Sequence, residues 1–138
     1  MLDLPLHPAV VHFPLALLAL AWLCLVIHYA RGGDAWVQRA RLLEIAGVVA
    51  LVPTVVAGFI DTRGFGFFVH PRWDGPLIWH SIGGLAATAV FAVHLFWRRQ
   101  QPDALRSRVA VLDLGLVTLG FWLLIFSGAI AGEMVYVT

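Results

Sequence analysis

The chain has 138 residues, of which 61% are apolar and only 12% charged, whereas a soluble domain carries about a quarter charged residues. Nine arginines, no lysine and eight acids leave a net charge of +1. So few charges cannot solvate a sphere of this size, which excludes a soluble domain, and no segment gathers the basic stripe that nucleic-acid binding requires.

A helix needs about 20 apolar residues to cross the hydrocarbon core of a bilayer. Four stretches reach that length: Pro8–Ala30, Ala40–Ile60, Pro76–Trp97 and Val109–Ala131. Backbone groups must be paired within each segment in lipid, so these are helices. The expected fold is an all-α, four-helix integral membrane bundle forming one transmembrane domain over residues 1–138. The first stretch is preceded only by Asp3 among charged residues. It lacks the basic start of a signal peptide and is expected to be retained.

Arginine placement gives the direction. Arg31, Arg39 and Arg41 flank the first connection, and Arg98, Arg99, Arg106 and Arg108 the third. Only Arg63 and Arg72 fall on the opposite side. The positive-inside rule then places both termini on the periplasmic side of a bacterial inner membrane, as a multi-pass protein. His7, His12, Asp61, His70, His80, Glu133 and Tyr136 come to the outer side, and His28 and His94 approach the inner side. Polar groups at membrane depth are costly unless paired, so such a cluster suggests a site.

The first and third helices each carry a histidine near the outer end, His12 and His80, and one near the inner end, His28 and His94. The second and fourth each end in small residues and an acid, Asp61 and Glu133. The pattern suggests two repeated hairpins about an axis along the membrane normal.

The string His7-Pro8-Ala9-Val10-Val11-His12-Phe13-Pro14, with Gly58-Phe59-Ile60-Asp61, Trp79-His80 and Gly132-Glu133-Met134-Val135-Tyr136, resembles a bacterial family of small membrane proteins, DUF2231. The resemblance spans nearly the whole chain. It implies a four-helix membrane protein found beside, or fused to, redox domains such as Rieske proteins, and it assigns no reaction. His28 and His94 are not part of its pattern.

A b-type heme in a bundle needs two neutral imidazoles from facing helices at one depth. His12 and His80 meet the depth requirement. Ala9, Ala16 and Ala19 share a helix side with His12, and Gly83, Gly84 and Ala87 with His80, leaving room for a porphyrin. Arg63 and Arg72 are placed to pair with propionates. Small residues at this spacing also serve plain helix packing, and a histidine can simply bond Asp61 or Glu133. A third reading is a single transition-metal ion held by the outer histidines and carboxylates. A second heme on His28 and His94 fits less well, because His12 and His28 point about 160° apart on a regular helix. Asp61, His70, Glu133 and Tyr136 are candidates for proton transfer or quinone binding, and as helix-end polar residues they would equally be wetted at the interface.

The expected function is a membrane electron-transfer protein, cytochrome b-like, with one non-covalent heme on His12 and His80. It would pass electrons between the quinone pool and a periplasmic cytochrome or iron–sulfur protein, alone as a homo-oligomer or as an oxidoreductase subunit of a larger complex. Its alternatives are a cofactor-free structural or assembly subunit, and an outer-side metal-binding or transport protein. The single Cys24 excludes an internal disulfide and Cys-x-x-Cys-His heme attachment. No nucleotide-binding, nucleophile-elbow or zinc-protease motif occurs.

Overall fold

A computed structural model describes residues 6–61, 75–100 and 109–136. They form four α-helices: α1 (Leu6–Arg31), α2 (Asp34–Asp61), α3 (Pro76–Gln100) and α4 (Val109–Tyr136). All four are long and apolar enough to cross a membrane. Pro14 and Pro53 lie inside continuous helices.

The second helix starts six residues before the expected Ala40. Gly32 and Gly33 hold φ angles of 77° and 102°, a left-handed conformation that favours glycine. The Gly32 N–H donates to the His28 carbonyl at 2.7 Å and closes α1. The chain reverses within these two residues, and Asp34 stands in the first turn of α2, where a carboxylate suits the helix dipole. The segment with Arg39 and Arg41 is therefore helix rather than loop, and the Arg39 guanidinium lies 4.8 Å over the Trp36 ring.

The α1 helix packs mainly against α2, and α3 against α4. The two hairpins meet more sparingly, α1 along α4 and α2 along α3. Polarity is arranged for lipid. Phe13, Leu20, Val49, Val52, Phe96, Val111 and Trp122 are exposed, while Glu44, Thr54, His94, Asp113 and Ser127 are buried. In water this arrangement would leave a large apolar surface exposed; in a bilayer it is the expected one.

The hairpins repeat with a constant step of 73 residues. In α1, the inward positions Pro14, Leu18, Ala21 and Leu25 step onto Ala87, Phe91, His94 and Arg98 of α3. In α2, Ala40, Glu44, Gly47, Leu51 and Thr54 step onto Asp113, Val117, Gly120, Leu124 and Ser127 of α4. All of these are buried except Arg98, which is half-buried. The close helix approaches repeat as well. A Cβ added at Gly47 would stand 2.7 Å from Leu18, and one at Gly120 would stand 2.8 Å from Phe91. The two hairpins thus share a burial register at these positions, and it is not the one that aligns His12 with His80. The step of 73 puts His7 at the position of His80.

Candidate functional site: a histidine pair and a buried ion network

The first polar group lies at the end of the bundle that carries the chain termini. The His7 Nδ1–H donates to the Thr54 carbonyl at 2.8 Å, across 47 residues. The His80 Nδ1–H donates to the Ser127 carbonyl at 2.9 Å, again across 47 residues. The Ser127 hydroxyl donates to the His80 carbonyl at 2.9 Å, and its oxygen lies 3.0 Å from His80 Nδ1. A carbonyl can only accept, so both imidazoles carry their proton on Nδ1. In the neutral ring this leaves Nε2 as the lone-pair nitrogen. The two rings meet edge to face, with centroids 5.6 Å apart and planes at 83°. Gly58 makes room for the first of them, because a Cβ there would stand 3.1 Å from His7 Nδ1.

The structure places His12 apart from this pair. His12 lies five residues from His7, about 140° around the helix, and its side chain is exposed on the outward face of α1. His80 is where the sequence suggested, but its neighbour is His7. Gly83 serves the α3–α4 contact, since a Cβ there would meet Phe126 and Ser127 at 3.2 Å. Gly84 has only the Ser127 hydroxyl nearby, at 3.5 Å. Arg63, His70 and Arg72 lie outside the described residues, as do the side chains of Asp61, Glu133 and Tyr136. Among the described residues, no three histidine, cysteine or acidic side chains converge to hold a metal ion.

The second polar group lies near the arginine-rich end. His80 and His94 share a helix face and are separated by 14 residues, about 21 Å along the axis. Both ring nitrogens of His94 are taken by carboxylates. Nε2–H donates to Asp113 Oδ1 at 3.0 Å, and Nδ1 shares a proton with Glu44 Oε1 at 2.6 Å. Arg98 Nε reaches Asp113 Oδ1 at 3.1 Å, and the Tyr29 hydroxyl donates to Asp113 Oδ2 at 2.9 Å. All four helices contribute one or more members. His94 and Asp113 are 1% and 0% exposed, so both are withdrawn from lipid and water alike.

His28 and His94 are not brought together as a second pair. His28 Nδ1–H donates to the Gly33 carbonyl at 3.1 Å, within its own turn, while His94 is committed to two acids. In the sequence Glu44 stands three residues from Arg41 and Asp113 five from Arg108. Their common link to His94 needs the packed bundle and has no local signature.

Between the two groups the hairpins are tied by Trp22 of α1. Its Nε1–H donates to the Thr118 hydroxyl at 3.1 Å, and its ring stacks on Phe121 with centroids 4.5 Å apart. Stacking and hydrogen bond together fix α1 against α4 at mid-height.

The chain matches the family model described as "Predicted membrane protein (DUF2231)" over residues 3–138. No curated protein and no solved structure matches it.

Proposed function

The chain belongs to the DUF2231 family of predicted membrane proteins, and from that premise we propose that it is a small electron-transfer membrane protein holding one b-type heme non-covalently through His7 and His80. The observation that carries this reading is the equivalence of the two imidazoles. They stand at the same place in the two hairpins, and each has its Nδ1–H fixed on the carbonyl of the facing helix. That anchoring orients a ring and raises the basicity of its other nitrogen, as in metal-bound histidines generally. Among the described residues two imidazole nitrogens stand here with no third histidine, cysteine or acidic side chain converging on them, a set that would suit a heme iron better than a bare ion. Bound heme would supply reversible one-electron chemistry. The protein's residues would supply the two imidazole nitrogens and their tautomer, with the rings parting from their edge-to-face contact to admit the group.

The arginine distribution supports an orientation with the histidine pair and both termini on the periplasmic side of a bacterial inner membrane. There the pair would exchange electrons with the quinone pool and with a periplasmic cytochrome or iron–sulfur protein. The chain would act as a homo-oligomer or as an oxidoreductase subunit. The same hydrogen bonds also tie α1 to α2 and α3 to α4, which favours a cofactor-free packing subunit as the second reading. The reduced-minus-oxidised absorption spectrum of protein purified from heme-replete cells separates the two.

A further inference from the structure

We infer that the Glu44–His94–Asp113 network is a proton-binding site, filled and emptied through a small recess at the arginine-rich end of the bundle.

The repeat provides an internal comparison. Stepping by 73 residues, His94, Arg98 and Asp113 correspond to Ala21, Leu25 and Ala40, and Glu44 corresponds to Val117. All four counterparts are buried, between 0% and 2% exposed. The fold thus closes the same place twice, once with an apolar quartet and once with an ionic one. Packing does not require the ionic version. A buried ionic network is generally no more stabilising than well-packed apolar residues of similar volume, and ionisable groups at membrane depth usually serve binding or transfer.

Proton counting follows from the hydrogen bonds. Asp113 accepts from His94, Arg98 and Tyr29, which holds it as the carboxylate. His94 Nε2 therefore carries a proton, and the 2.6 Å link to Glu44 carries another. The network holds one proton more than a neutral imidazole and two carboxylates. With it the charges of Glu44, Asp113, His94 and Arg98 sum to zero. Without it the group carries one uncompensated negative charge.

The extra proton has a route. A recess of about 10 Å³ adjoins Glu44 and His94 and is walled by Arg41, Ile45, Arg98 and Arg99, large enough for one water. Release moves the proton from the His94–Glu44 bond to that water, leaving His94 neutral and Glu44 ionised; uptake reverses the step. The charged and titratable groups facing the bond are Tyr29 from α1, Arg41 from α2, Arg98 and Arg99 from α3, and Asp113 from α4. The arginines beside the opening offset the negative charge left on release.

The test uses the full chain in lipid nanodiscs and infrared difference spectra across the range where histidine and carboxylates titrate, with isotope-labelled histidine to mark imidazole bands. Wild type is expected to take up a single proton with coupled imidazole and carboxyl changes. Glu44→Gln should lose the carboxyl component. The combined variant Glu44→Val, His94→Ala, Arg98→Leu and Asp113→Ala installs the counterpart residues; it should fold and lose the uptake entirely. Ile45→Trp, which fills the recess, should slow exchange of the proton for deuterium without abolishing it. Wild-type bands that do not move with pH, an unchanged carboxyl component in Glu44→Gln, uptake that survives in the folded combined variant, or unaltered exchange in Ile45→Trp would each overturn the inference. Because the readout is infrared, a chain that never binds heme gives the same answer.

Discussion

The Phe91 ring lies so close to Gly120 that a Cβ at that glycine would stand 2.8 Å from Phe91 Cε2. Leu18 and Gly47 repeat the relationship in the other hairpin, at 2.7 Å. These contacts set how near the two helices of each hairpin can approach. Gly47→Ala and Gly120→Ala should each destabilise the bundle by about 1–3 kcal/mol through overpacking. Gly115, whose surroundings are open, should gain up to about 1 kcal/mol as alanine from helix propensity. Thermal unfolding in a mild detergent checks the difference in sign. Equal melting of all three variants would show that the glycines do not set the helix spacing.

Asp113→Ala should be the most damaging single change in the ion network. It strands His94, Arg98 and the Tyr29 hydroxyl together, and breaking a buried pair costs about 3–5 kcal/mol. Tyr29→Phe removes one donor and leaves the charges paired, so its cost should be about 0.5–1.5 kcal/mol. The ranking, measured by unfolding in detergent, is the prediction. A Tyr29→Phe loss equal to that of Asp113→Ala would mean that Asp113 is not the hub.

Trp22 both stacks on Phe121 and donates to Thr118. Thr118→Val should remove the hydrogen bond at about 0.5–1.5 kcal/mol. Trp22→Leu should lose both contacts and cost clearly more. Cross-linking yield between cysteines introduced on α1 and α4 would report separation of the hairpins. An unchanged yield in Trp22→Leu would assign the seam to other residues.

Orientation can be tested independently of any cofactor. Seven arginines flank the hairpin turns and two the opposite side, so a reporter fused after Thr138 should be active only as a periplasmic reporter. Cytoplasmic activity would invert the bundle and move the histidine pair to the cytoplasmic side.

The number of helices and their apolar, membrane-spanning character were legible in the sequence, because length and apolarity are local properties. The repeat was legible in outline but not in register. Counted from the predicted helix ends His12 matches the depth of His80, but in the bundle it lies five residues, about 7.5 Å, further in than His7, whose ring meets that of His80. The decisive signal was the azimuth relative to Pro14, Leu18 and Ala21. Laying Gly47 on Gly120 and Thr54 on Ser127 would have exposed the step of 73 and selected His7. The Glu44–His94–Asp113 link was out of reach because its partners lie 50 and 19 residues apart, on three helices whose contacts only packing decides. The early start of α2 follows from Gly32-Gly33, whose left-handed backbone completes the turn in two residues.

The most direct test of the central claim is the absorption spectrum of the dithionite-reduced protein, purified gently from heme-replete cells, for wild type and three single variants. Bis-imidazole ligation by His7 and His80 predicts a low-spin b-type spectrum in wild type and in His12→Ala, lost or converted to high spin in His7→Ala and in His80→Ala. A colourless wild-type protein, or a spectrum that depends on His12 and survives loss of His7, would contradict it.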